Sequence, residues 1–132
     1  MEIKNDKNHI RIGESGENLA CEYLVQKEWK LLARNYRRKS DEIDVIALSG
    51  DGTLVFCEVK ALRIREGQQS GNFAPEDNLS PVKFRKIART CQFFARQHPE
   101  LVNEERGWRI DLIAVDIGPD GRPSSIRHYE NI

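Results

Sequence analysis

The sequence predicts an α/β fold in which a mixed central sheet is flanked by two helices, in the order αβββαββ. Three observations predict it. One amphipathic helical pattern follows a polar leader and a second follows Pro81; three strand-like runs lie between them; two more strand-like runs follow the second helix.

The first helix is read from Ile12, Leu19, Ala20, Tyr23 and Leu24, which recur at helical spacing while Glu14, Glu22 and Lys27 take the other faces. Lys30 to Tyr36 reads as a strand and Arg37, Arg38 and Lys39 as a basic turn. Asp41 to Leu48 and Thr53 to Leu62 are rich in Ile, Val, Leu and Phe, and they flank Gly50-Asp51-Gly52, a hairpin signal. Residues 63 to 79 lack periodicity and are expected to form a mobile surface loop. Ser80-Pro81 starts the second helix, because the hydroxyl can accept from a first-turn N–H and proline has no N–H to leave unpaired there. That helix runs to about Gln97, with an apolar stripe of Phe84, Ile87, Ala88, Cys91, Phe94 and Ala95, and Pro99 ends it. Trp108 to Val115 and a short edge segment, Ser125 to Tyr129, complete the strands.

Length and composition narrow the function classes. The chain has 132 residues, with 21 Lys plus Arg against 21 Asp plus Glu, so it is neither a polycation nor an acidic tail. A chain of this size buries roughly two thirds of its extended surface, enough for one core without staples. A polar leader, residues 1–11, and one domain over 12–132 are therefore expected. No apolar run reaches the length needed to cross a bilayer and the leader has no apolar core, so no membrane association and a cytoplasmic location are expected. Cys21, Cys57 and Cys91 are odd in number and lie in apolar surroundings, which favours buried free thiols.

The hairpin carries the anomaly. Its third-strand run is apolar enough to be covered on both faces, yet it contains Glu58 and Lys60. Alternation puts Ile43, Val45 and Ala47 on one face of the preceding strand and Glu42, Asp44, Ile46 and Leu48 on the other. A loop of Gly50 to Gly52 sets Asp44 across from Glu58 and Glu42 across from Lys60; a four-residue loop would oppose Asp44 to Cys57 and scatter the carboxylates. The first register is favoured. Two carboxylates about 4 to 5 Å apart repel by roughly 3 to 4 kcal/mol at an effective dielectric near 20, a cost that calls for a cation. Lys60 supplies one; a hard divalent ion, magnesium or manganese, would satisfy Asp44 and Glu58 better. The other reading is an ion-pair network on an edge strand. Glu17, in line with Cys21 and Leu24, can point toward the same sheet, or it can be an exposed helix-start carboxylate. The second helix carries Lys83, Arg85, Lys86, Arg89 and Arg96 and no acid, a surface that could follow phosphates or simply face solvent.

These residues resemble the YraN family of bacterial proteins. The resemblance begins at Gly16-Glu17, Ala20 and Tyr23-Leu24, and runs through Leu32-Ala33-Arg34-Asn35-Tyr36-Arg37. It is strongest in Glu42-Ile43-Asp44-Val45-Ile46-Ala47 and Leu54-Val55-Phe56-Cys57-Glu58-Val59-Lys60. It resumes at Pro81, Lys83, Arg109 to Val115 and His128-Tyr129-Glu130-Asn131. It implies a restriction-endonuclease-like fold related to Holliday-junction resolvases. On that pattern Asp44 and Glu58 would bind magnesium, Lys60 would position or activate water, and Glu17 would match the first-helix glutamate of resolvase-like members. The chain departs from the pattern at Ser40-Asp41, where family members carry glycine before the Glu-Ile-Asp segment, and its loop over 63–79 is longer.

The leading expectation is thus a magnesium-dependent endonuclease acting on DNA, including branched or structured DNA, with Lys83, Lys86, Arg89, Arg37 and Arg38 on the nucleic acid. A homodimer is expected only by analogy with resolvases on two-fold junctions. The alternatives are a non-catalytic nucleic-acid-binding module of the same fold and a protein-interaction domain.

Overall fold

A computed structural model describes residues 12–65 and 79–132. The expected leader, residues 1–11, and most of the expected 63–79 loop lie outside the described residues. The elements are α1 (Ile12–Gln26), β1 (Lys30–Arg38), β2 (Asp41–Leu48), β3 (Leu54–Arg63), α2 (Pro81–Gln97), a 3-10 turn (Pro99–Leu101), β4 (Trp108–Ile117) and β5 (Pro123–Tyr129). The order αβββαββ is the one the sequence predicts.

The five strands form one mixed sheet in the order β1-β2-β3-β4-β5. Only β3 and β4 run parallel, from Leu54 opposite Trp108 to Arg63 opposite Ile117. A parallel pair needs a long crossover, and α2 provides it. β3 is central and covered on both faces: Leu54, Val55, Phe56 and Cys57 are completely buried. On one face α1 packs Ala20, Cys21 and Leu24 against Val45, Val55, Cys57 and Ile113. On the other, α2 packs Ile87, Cys91 and Phe94 against Ala33, Ile46, Leu54, Phe56 and Ile110. All three cysteines are free and buried in these two layers.

Local chemistry explains the element ends. The Ser80 hydroxyl accepts from the Lys83 N–H at 3.1 Å, with Pro81 opening the helix. Asp51 organises the β2–β3 hairpin: its carboxylate accepts from the Ser49 hydroxyl and from both the N–H and the hydroxyl of Thr53, and Gly52 adopts the positive φ that closes the turn. The hydrogen bonds from Ser49, then those from Thr53, hold the Asp51 carboxyl well below the usual carboxylate range.

Two expectations are corrected. Arg37 and Arg38 are not in a turn; they extend β1 and face Glu42 and Asp41, so the turn contracts to Lys39 and Ser40, with Lys39 at φ 58°. An edge strand tolerates an exposed Arg37 and a half-buried Arg38, which is why a basic pair need not mark a turn. Ile43 does not share a face with Val45 and Ala47; it packs in the α2 layer with Ile46, whereas Val45 and Ala47 pack under α1. The regular alternation is interrupted at Asp44, opposite which Asn35 of β1 sits at φ 55°.

Gly16 sets how closely α1 approaches the sheet. A Cβ there would lie 2.7 Å from the Ala61 Cβ. Gly16→Ala is therefore expected to destabilise by about 1–3 kcal/mol through overpacking. The double variant Gly16→Ala/Ala61→Gly should recover much of that loss in urea unfolding, and an unaltered midpoint in the single variant would contradict the close contact.

Candidate active site

The hairpin register follows the three-residue loop: Leu48 faces Leu54, Ala47 faces Val55, Ile46 faces Phe56 and Val45 faces Cys57. Beyond that pair the ladder stops. Asp44 and Glu58 are not joined across it; β2 and β3 part, while β3 stays paired to β4 through Glu58, Val59 and Lys60. Asp44 fills the gap, its carboxylate accepting the Val59 N–H at 2.7 Å. A backbone donor released by the parting strands is thereby satisfied by the side chain that the parting brings inward.

Three carboxylates meet at this gap. Oxygens of Glu17 from α1, and of Glu42 and Asp44 from β2, all lie within 4.8 Å of one another. Glu17 thus turns toward the sheet rather than into solvent. Glu58 stands outside that group on the α2 face, its carboxylate 4.0 Å from the Lys83 ammonium. Lys60 lies two residues further along β3 and is half-buried.

The sequence reading missed Asn35 and placed Glu42 only opposite Lys60. With its amide nitrogen facing the carboxylates, Asn35 donates to Glu42 Oε1 at 2.8 Å and to Glu17 Oε1 at 2.9 Å. Its left-handed backbone, which asparagine tolerates better than most residues, sets that amide between the two acids. An asparagine inside an otherwise strand-forming run is the one local signal of this role.

Electrostatics reflect crowding of like charges in a partly dry site. Burial, then the Asp44 charge, pushes Glu58 up to about 8. The same two causes push Glu17 up to about 7. Asp44 is also raised, mainly by burial, although the Val59 N–H and a hydrogen bond from Glu17 oppose the shift. In its protonated form the Glu17 carboxyl donates to Asp44, so a proton stands between two acids where a cation would otherwise sit. An all-oxygen set that retains protons for want of positive charge fits a hard divalent ion such as magnesium.

The cations expected on nucleic acid are spread around this gap. Lys86 and Arg89 are exposed on α2, and Lys83 is half-exposed beside Glu58. Arg37 pairs with Glu42 at 3.2 Å, and the Arg38 guanidinium stacks over Phe93 at 3.8 Å from the ring centre.

Together these features define an α/β protein whose single mixed sheet holds a carboxylate cluster where two strands part. The chain belongs to UPF0102, described as an uncharacterised protein family, whose family model matches residues 16–115 and which is the YraN-like family the motifs resemble. A UPF0102 protein of Symbiobacterium thermophilum is 39% identical over 112 residues, covering 85% of this chain and 87% of its own. One from Ralstonia nicotianae is 38% identical, covering 79% and 76%. A solved EndoMS–dsDNA complex matches 87% of this chain and 39% of its own length, at 12% identity and a TM-score of 0.39. Among the described residues no helix is long and apolar enough to cross a membrane.

Proposed function

We propose that the chain is a magnesium-dependent endonuclease of the restriction-endonuclease-like type that hydrolyses DNA phosphodiester bonds. The observation carrying this reading is the gap between β2 and β3, where Asp44, Glu17 and Glu42 converge, with Glu58 close enough to feel the Asp44 charge and Lys60 two residues further along β3. Asp44 and Glu58 would hold the ion, with Glu17 completing the acidic wall and Asn35 fixing the positions of Glu17 and Glu42. When bound, magnesium would supply Lewis-acid polarisation of the phosphodiester. Lys60 would orient the attacking water and offset charge developing on the phosphate. Lys83, Lys86, Arg89, Arg37 and Arg38 would bind the backbone phosphates and bring the strand over the gap. Docking there would release Lys83 from Glu58, freeing that carboxylate for the ion.

The test is incubation of the purified protein with single-stranded, duplex and four-way-junction DNA in magnesium or manganese. Cleavage is expected in at least one, falling at least a hundredfold in Asp44→Ala. Cleavage undiminished in Asp44→Ala and Glu58→Ala would reject this site. Salt-sensitive binding without cleavage under any metal condition would leave a binding module instead.

A further inference from the structure

We propose that the flank of α2 turned toward β4 binds unpaired DNA, seating bases on Trp108 and Phe84 with phosphates held by Arg85, Arg89 and Arg96. Phe84, Ala88 and Gln92 follow one another at four-residue intervals, and with Trp108 they line a shallow depression of about 610 Å³. A second depression, of about 640 Å³, shares Gln92 and Trp108 and extends the channel past Arg96 to Pro99, with Glu104 the one acid on its far wall. Phe84, Ala88 and Trp108 are half-buried, so each presents an apolar surface at the floor. Phe56 meets the Trp108 ring edge-on at 5.5 Å between centres, which fixes the indole against the core.

The rim selects the occupant. Residues 80–99 contain five basic residues and no acid. Arg85 and Arg89 are one helical turn apart along the apolar row, and both are exposed. An apolar aromatic floor beside a cationic edge is the arrangement that binds single strands, because exposed bases stack on side-chain rings while phosphates take the cations. A continuous duplex keeps its base faces stacked inside the helix and could use only the cations. One end of the channel lies in the helix turn that reaches the gap, since Phe84 directly follows Lys83, whose ammonium lies 4.0 Å from Glu58. A substrate with an unpaired segment next to the cleaved bond would occupy both. This inference rests on the nucleic-acid reading given above, but not on cleavage.

The experiment measures binding of a labelled oligothymidylate and of a blunt duplex of equal length to the full chain, by fluorescence anisotropy at low salt in EDTA, where metal-dependent cleavage cannot intervene. Trp108→Leu is expected to weaken oligothymidylate binding about tenfold or more and to leave duplex binding within about twofold. Phe84→Ser, which changes a half-exposed residue, should reproduce that selectivity if Trp108→Leu does not fold. Arg85→Ala/Arg89→Ala should weaken both ligands. Equal losses for both ligands in Trp108→Leu or Phe84→Ser, no oligothymidylate binding, or displacement by polyglutamate as effective as by oligothymidylate would overturn the proposal, the last in favour of an acidic protein partner. Absence of cleavage together with Trp108-dependent binding would reject the nuclease reading alone.

Discussion

Glu58→Gln is expected to melt at a higher temperature than the parent at pH 8 in EDTA, and to lose metal-dependent cleavage by about a thousandfold. The two effects share one cause. In the folded chain Glu58 holds its proton up to about pH 8, because burial and then the Asp44 charge oppose ionisation. In the unfolded chain a glutamate titrates near pH 4.3. The folded state therefore binds more protons between these values, and its stability declines as pH rises through them. Glu17, raised to about 7, adds a decline of the same sign.

Glutamine carries no charge at any of these pH values, so Glu58→Gln removes its share of the decline. The whole displacement sets a ceiling of about 5 kcal/mol, and a gain of at least about 2 kcal/mol at pH 8, or roughly 6 °C or more in Tm, is expected. Losing the Lys83 contact offsets little of it, since that ammonium is half-exposed and 4.0 Å away. Magnesium should stabilise the parent at pH 8 by mass action and stabilise Glu58→Gln much less. Differential scanning fluorimetry from pH 5 to 9, with and without magnesium, checks all of this. A variant that melts at or below the parent throughout would contradict the strained carboxylate.

Asp111→Ala is expected to cost about 3–5 kcal/mol, because it strands the buried His128 ring and takes from the half-buried Arg109 its shorter ion pair, leaving only Glu130 at 3.8 Å. Asp111 is fully buried, yet every oxygen is used. Oδ1 accepts from Arg109 Nε at 2.9 Å and from the Asn131 N–H at 2.9 Å. Oδ2 accepts from His128 Nε2 at 2.8 Å and from Arg109 Nη2 at 3.3 Å. In the neutral ring this leaves Nδ1 of His128 to accept the Tyr23 hydroxyl, 2.9 Å away on α1. Trp29 closes over the imidazole edge-on at 5.4 Å.

Burial alone would raise the Asp111 carboxyl, but the hydrogen bonds from His128, Arg109 and Asn131 outweigh it and hold the group below its ordinary value. Its contribution is thus present above the unfolded aspartate pKa, near 3.9, and is lost as pH falls below that value. Since the Glu17 and Glu58 effects run the other way at higher pH, stability should peak in the mildly acidic range. Urea unfolding of Asp111→Ala at pH 6 should show a lower midpoint with an unchanged slope. A cost under about 1 kcal/mol would show that the network carries little of the fold.

What could be read from the chain alone depended on how local each cause is. Gly50-Asp51-Gly52 sets the hairpin by turn chemistry, so the pairing of Val45 with Cys57 was legible. Glu58 and Lys60 stood out because charge interrupts an apolar strand. By contrast, alternation along β2 is a local rule, and it failed at Asp44, opposite which Asn35 of a different strand takes a left-handed backbone. Alternation already puts Glu42 with Asp44; that the pair meets Glu17 of α1 is seen only in the folded chain. The Tyr23–His128 hydrogen bond spans 105 positions, so nothing near either residue announces it. Asp111 did offer a signal, an acid between Ile110 and Leu112, but its partners could be named only from the folded chain.

Consider α1 as a short beam. One support is Gly16, seated on Ala61; the other is Tyr23, hydrogen-bonded to His128 on β5. The supports are about 10 Å apart along the axis, and Glu17 lies just inside the first. Sliding the helix by one turn would shift it about 5.4 Å, lifting Gly16 off Ala61 and breaking the Tyr23 contact together. Glu17 is consequently carried on a stationary mount rather than a moving arm, and an ion entering the proposed site would meet carboxylates that are already in place.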